Sequence, residues 1–437
     1  MAPSPRQPNG AAAASSTANG DASSSSSVAI VAKRVSASPS SLSSCGARLR
    51  SGLLVSFPTE TVYGLGCHAL DPDAVRLVFE AKERPLSDPL IVHVTEKEDA
   101  LRLWSASSSS SLESESVEAL ALRALSSTFW PGPLTVVAVA HPSVPPIVTA
   151  STGYVACRSP SHPVARSVIR EAGVPIAAPS ANKFGHVSPT RADHVLDDLG
   201  GEDVWVIDPG MTEQDGDGSA VNGQAAADIR GVCDVGVEST VAKVEMTSAT
   251  RGAVTVLRHG AVSALDIRRA LTAAGLGDEF EVTSLVRATA DHVPNVAPGQ
   301  TIRHYSPRVR SYAISAGRYG RWTQTNGDGA SDLTEEETDL LRRAAVVDFG
   351  GRLSALAKDA LAYRDLSVQG SSKEAASAVF EALRWAEDVG GAERVYFPEI
   401  PKSGEGEGDE KDDDALSDAV RDRLTRAASG EIVDGLR

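Results

Sequence analysis

Short apolar runs alternate along this chain with stretches whose apolar positions recur at helical spacing. Leu53 to Phe57 is one such run, stopped by Pro58, and Pro89 to Val94, Leu134 to Val139 and Pro175 to Ala178 are others. Their length suits buried strands. Between the first two, Ala74, Val75, Val78 and Phe79 fall on one face of a helix spanning Asp71 to Lys82, with Asp71-Pro72 as its cap and first turn. Strands alternating with helices predict an α/β fold. The pattern pauses at a segment bounded by prolines, Pro298 to Pro307, which reads as a linker. It then resumes with strand candidates at Ala344 to Phe349 and Arg394 to Phe397. Helix candidates follow at Lys373 to Asp388 and Asp418 to Ala428. A second, smaller α/β domain is expected there.

Four stretches carry no such pattern. Met1 to about Ser44 is rich in Ser and Ala and reads as a low-complexity tail. Its shortage of acids also fits an organelle transit peptide. Ser105 to Ser116, Gln214 to Ala227 and Gly404 to Asp414 read as solvated insertions. The 437 residues suit two or three domains. A net charge of −16 argues against a basic clamp for nucleic acid over the whole molecule, so stable nucleic-acid binding is not expected. The 4 cysteines form no CxxC pair, which argues against a zinc site or a disulfide framework. Reduced thiols imply a cytosol-like compartment, with mitochondrion or plastid as alternatives. No apolar run approaches the length of a membrane span.

Four segments carry candidate chemistry. Phe57-Pro58-Thr59-Glu60-Thr61-Val62-Tyr63-Gly64-Leu65-Gly66 sets small hydroxyls and glycines beyond a buried strand, where α/β sheets hold ligands. It also reads as a tight turn. Lys82-Glu83-Arg84-Pro85-Leu86-Ser87-Asp88-Pro89 places two cations just after a helix, which suits a phosphate chain or simply a helix C-terminus. Ala178-Pro179-Ser180-Ala181-Asn182-Lys183, with Ser188 and Thr190 beyond, offers hydroxyls and amides for phosphate oxygens, or an Asn/Ser turn. Glu238-Ser239-Thr240-Val241 starts one strand and Arg258 ends another. No Walker loop occurs.

Together these segments resemble the threonylcarbamoyl-AMP synthase family in its long, two-domain form. The lysine–any–arginine and serine–any–asparagine signature stands here as Lys82, Arg84, Ser180 and Asn182. The PTETVYGLG, WPGPLT and ESTV segments match as well, as does the linker from Pro298 to Pro307 with His304-Tyr305. The resemblance implies a tail at 1–44, a YrdC-like catalytic domain of twisted mixed sheet with a concave pocket at 45–285, a linker or lid at 286–311, and a Rossmann-like domain at 312–437. It implies that ATP, L-threonine and bicarbonate give threonylcarbamoyl-AMP and pyrophosphate, with Mg2+ arriving on the nucleotide and no metal held by the protein alone. A tRNA threonylcarbamoyl transferase complex would act downstream, on the nucleoside next to the anticodon.

By the same resemblance, Thr61, His93, Arg158, Ala178 and Ser239 would hold threonine, Arg158 as a fork on its carboxylate. Arg84, Ser180, Ser188 and Arg258 would hold ATP, with Tyr305 closing over it. Lys82 and Asn182 would complete the lining as catalytic residues beside Arg84 and Ser180. Two positions depart from the family pattern: Asp88, where Asn is usual, and Tyr154, where a small hydroxyl residue is common. Both are expected near the nucleotide, Tyr154 through its backbone. Two other readings share this core. One is a non-catalytic RNA-binding module, disfavoured by the acidic charge and an aromatic content of 5%. The other is a maturation carbamoyltransferase, disfavoured by the missing zinc-finger cysteines.

Overall fold

The computed structural model describes residues 31–105, 116–212, 233–285, 295–299, 304–324, 333–401 and 414–437. The three expected insertions lie almost wholly outside the described residues, as does the chain before residue 31.

The first domain is built on one mixed sheet of eleven strands. In spatial order these are Lys33–Ser36, Val204–Asp208, Leu54–Pro58, Tyr63–His68, Ile176–Ala177, Ile91–His93, Tyr154–Arg158, Leu134–Val139, Thr240–Met246, Gly252–Arg258 and Phe280–Ser284. The central strands are buried along nearly their whole length, which explains their unbroken apolar runs. Helix Pro72–Lys82 starts where expected. The Asp71 carboxylate accepts from the Asp73 and Ala74 amides. It stops at Glu83, which takes a left-handed conformation, φ 54°.

The second domain is a five-strand parallel sheet in the order Ala362–Asp365, Ala344–Asp348, Arg394–Pro398, Arg310–Ile314, Ile432–Val433. Helices Ser372–Asp388 and Ala415–Ala427 pack on it and on each other. The expected strands and helices of this domain all form. The linker ends sooner than expected, because its last two residues already belong to strand Arg310–Ile314.

The expected boundary of the tail is wrong. Lys33–Ser36 is an edge strand paired in parallel with Val204–Asp208, and Pro39–Arg50 is a helix that buries Cys45, Gly46 and Leu49. Ser38 caps that helix through the Ser41 amide, with Pro39 at its first position. Of the serines that read as low complexity, Ser38 is therefore a cap, and Ser40, Ser43 and Ser44 lie on the solvent face of the helix. Its apolar side packs on helix Pro163–Ala172.

The two domains share one hydrophobic cluster. Val62, Val187 and Val237 of the first domain and Tyr305 of the linker pack with Val379, Phe380 and Leu383 of the second. Gly236 adopts φ +72°, and a Cβ there would lie 2.4 Å from the Cα of Ser377. Backbone meets backbone across the domain boundary at this point, which only glycine allows.

Candidate active site

The turn between strands Leu54–Pro58 and Tyr63–His68 is tied by Thr59, whose hydroxyl accepts from the Thr61 and Val62 amides at 3.2 Å and donates to the Val62 carbonyl at 2.7 Å. This local closure aims Thr61 into a cavity. Arg84 reaches the same cavity because Glu83 reverses the chain, and the Arg84 amide donates back to the Phe79 carbonyl at 2.9 Å. Strand ends supply His93, Arg158 and Ala178, and Ser180 follows directly. Arg258 ends its strand beside a register shift. The cavity is lined by these residues together with Glu238, Pro298, Gly299, His304 and Tyr305. Four segments remote in sequence thus converge with the linker on one place.

The cations are not solvated, contrary to expectation. Lys82 is 1% exposed and Arg84 7%. The Lys82 ammonium donates to the Ser180 carbonyl at 2.6 Å and to the Asn182 carbonyl. Lys82 therefore fastens the serine–any–asparagine loop from behind and does not line the cavity. Burial, with Arg84 nearby, pushes its pKa well below the ordinary lysine range. Asn182 also faces away, its amide donating to the Lys183 and His186 carbonyls at 2.8 Å.

Asp88 does not face the cavity as a nucleotide contact. It is fully buried and pairs with Arg84 at 2.8 Å, while Arg84 also donates to the Asp88 and Pro89 carbonyls. A carboxylate at this position orients the arginine. Burial raises the Asp88 pKa against the pull of Arg84 and Arg258. Tyr154 lies outside the cavity lining, and its hydroxyl donates to Glu245 at 2.7 Å near the surface. Ser188 is buried and donates to Glu238 at 2.5 Å rather than facing the cavity. Ser239 is one step back. Its hydroxyl shares a hydrogen bond with Thr135 at 2.7 Å and accepts from Arg258 at 3.0 Å.

Arg158 donates to the Thr61 hydroxyl at 2.9 Å and pairs with Glu60 at 2.7 Å. Burial raises the Glu60 carboxyl, but the Arg158 charge and the Ser161 amide outweigh it and hold the carboxyl below the usual range. His93 has its Nδ1 3.2 Å from the Ile91 carbonyl. Burial and the Arg158 charge push its pKa down to about 3, so it is neutral at pH 7. The backbone of Ile176 hydrogen-bonds the same ring, so two strands fix its orientation.

Tyr305 caps the cavity in a left-handed conformation, φ 61°. Its ring lies 5.3 Å from Phe380 and 4.1 Å from His304. Its hydroxyl is buried without a hydrogen-bond partner among the described residues. The cavity is about 40 Å³, room for a few waters, since one water needs about 10–15 Å³. Of the described linker residues, Pro298, Gly299, His304 and Tyr305 line the cavity. Glu60, Glu238, His304 and Arg423 were legible only as letters inside matched segments, because their partners come from distant sequence.

A buried cavity at strand ends, lined by Arg84, Arg158 and Arg258 and capped by a linker aromatic, defines an α/β enzyme built for anionic substrates. Comparison with known proteins places it more narrowly. Residues 47–230 match a family model described as "Telomere recombination" (Sua5/YciO/YrdC), and residues 262–429 match "Threonylcarbamoyl-AMP synthase, C-terminal domain". The threonylcarbamoyl-AMP synthase of Bacillus subtilis is 30% identical over 92% of this chain and 97% of its own length. That of Pyrococcus abyssi is 36% identical over 62% of this chain and 66% of its own. The solved structure of P. abyssi Sua5 complexed with L-threonine is 28% identical, with a TM-score of 0.65 over 92% of this chain and 98% of that one. The chain belongs to the threonylcarbamoyl-AMP synthase family and is an enzyme.

Proposed function

We propose that this protein condenses L-threonine, bicarbonate and ATP to threonylcarbamoyl-AMP and pyrophosphate, for threonylcarbamoyladenosine formation in tRNA. The observation that carries this reading is the convergence of Thr61, Arg84, His93, Arg158, Ser180 and Arg258 on one cavity under the linker. The threonine complex of the P. abyssi relative supports it.

The threonine amine adds to bicarbonate and, with loss of water, gives a carbamate. A carbamate oxygen then attacks the α-phosphorus of ATP, a phosphoanhydride bond breaks and pyrophosphate leaves. Such displacements gain mainly from positioning and charge neutralisation. Arg158, already beside Thr61, exchanges Glu60 for the threonine carboxylate or shares the two. The neutral His93 hydrogen-bonds the threonine hydroxyl or amine without taking its proton. Arg84 and Arg258 face the triphosphate. Among the described residues no group of three or more His, Cys, Asp or Glu is placed to hold a metal, and the cavity carboxylates are each taken by an arginine. On this reading Mg2+ enters on the triphosphate, whose charge it neutralises. Tyr305 and the linker open to admit substrates and close to keep water from the carbamate. The product passes to a tRNA threonylcarbamoyl transferase complex.

The test is incubation of the full chain with ATP, Mg2+, bicarbonate and labelled threonine. Threonine-dependent pyrophosphate and labelled threonylcarbamoyl-AMP are expected. ATP turnover indifferent to threonine, or a tRNA gel shift with no synthesis, would reject the reading.

A further inference from the structure

Glu238 is an awkward group for a site that binds a triphosphate. It lines the cavity and is 5% exposed, so its charge acts at close range with little screening. The other two buried carboxylates around the site are neutralised from within the first domain, Glu60 by Arg158 at 2.7 Å and Asp88 by Arg84 at 2.8 Å. Glu238 is neutralised from the second domain. Arg423, on helix Ala415–Ala427, is fully buried and its Nε donates to Glu238 at 2.9 Å. The same guanidinium lies 5.2 Å from the centre of the Tyr305 ring. Asp422 steadies it at 3.1 Å, and its Nη2 is buried with no partner among the described residues. A guanidinium with a free buried donor costs stability.

We propose that Arg423 is a positioning residue of the active site, delivered by the C-terminal domain to neutralise Glu238 and to back Tyr305 so that the cavity accepts a nucleotide triphosphate. This rests on the synthase reading for its ligand. Acting through Glu238 and Tyr305, Arg423 makes domain docking part of the site: when the domain leaves, Glu238 keeps its Ser188 hydrogen bond but loses its ion-pair partner, and the lid loses its support.

The two partners then have unequal effects on ATP, which a merely structural ion pair would not produce. In the full chain, Arg423→Met should weaken ATP binding by about tenfold or more, because it uncovers a buried charge of the wrong sign. Threonine affinity should change far less. Glu238→Gln should leave ATP affinity unchanged or raise it. The double variant should recover most of the loss, within about threefold of wild type. ATP and threonine affinities are read by calorimetry, and KM against kcat by product formation. If Arg423→Met does not fold, Arg423→Lys carries the same comparison, with a smaller ATP-specific loss that Glu238→Gln again relieves. Equal losses for ATP and threonine, or no rescue by Glu238→Gln, would overturn the proposal. Calorimetry needs no turnover, so a chain that shows these affinity changes yet makes no product would reject the synthase reading and support the role of Arg423. Wild-type chain that binds no ATP would reject both.

Discussion

Lys82 shows how a single residue can belong to a site without touching a ligand. Its ammonium holds two carbonyls of the loop that carries Ser180, from a position 1% exposed. Lys82→Ala removes the donor and leaves both carbonyls buried without it. The expected cost is about 2–4 kcal/mol of stability, read by denaturant unfolding, together with loss of synthesis. Full stability with loss of activity alone would mean that the ammonium faces substrate instead. Asp71 was legible from local chemistry as a helix cap, whereas Thr61, His93 and Ser180 were picked out by the family resemblance and do line the cavity. Residues whose role depends on a partner were not legible. Lysine and arginine in a polar motif look solvated until the fold surrounds them, and Asp88 looked like a nucleotide contact until it was seen holding Arg84.

Among the elements, long apolar runs were read correctly because burial on both faces leaves an unbroken signature. The N-terminal strand and helix were missed because their polar faces are serine-rich, and only Cys45, Gly46 and Leu49 mark the packed side. Gly46 is the tightest point. A Cβ there would lie 2.5 Å from the Glu171 Cβ and 2.6 Å from its carbonyl carbon. Gly46→Ala should force helix Pro39–Arg50 off helix Pro163–Ala172 and cost about 1–3 kcal/mol, despite the better helix propensity of alanine. A deletion ending at Ser44 should be worse, because it removes strand Lys33–Ser36 and half of that helix. A fall in melting temperature of about 10 °C or loss of soluble protein is expected. A variant melting at the wild-type temperature would show that the first strand and helix contribute little to the fold.

In the whole molecule, the order of the two domains was legible but their interface was not, since it joins groups nearly two hundred residues apart. Its polar part centres on His186. Nδ1 lies 2.9 Å from Asp198 on its own domain, and Nε2 lies 2.9 Å from Glu387 on helix Ser372–Asp388. Arg384 at 3.1 Å and Arg308 at 3.3 Å also pair with Asp198, and the Lys183 and Arg308 amides donate to Asp198 and Glu387. Burial lowers the His186 pKa, but the two carboxylates outweigh it and raise it above the ordinary 6.5. His186 therefore contributes stability that is complete below pH 6.5 and is lost as pH rises through its raised value. The carboxylates act in the opposite sense. Burial raises the Asp198 pKa, but His186 and Arg384 outweigh it and bring it down to about 2, and Glu387 is lowered as well. Their contribution is present above the usual carboxylate range and fades as pH falls through these lowered values. Docking should thus be tightest from about pH 4 to 6.5 and should slacken on the alkaline side, where the arginines still cover Asp198 but Glu387 keeps only Arg308. Melting temperatures of wild type and His186→Gln, compared from pH 5.5 to 9, should differ most at the acid end and converge with rising pH. A difference that stays constant over that range would mean that His186 joins the domains as a neutral hydrogen-bonding group, and that docking carries no pH dependence through it.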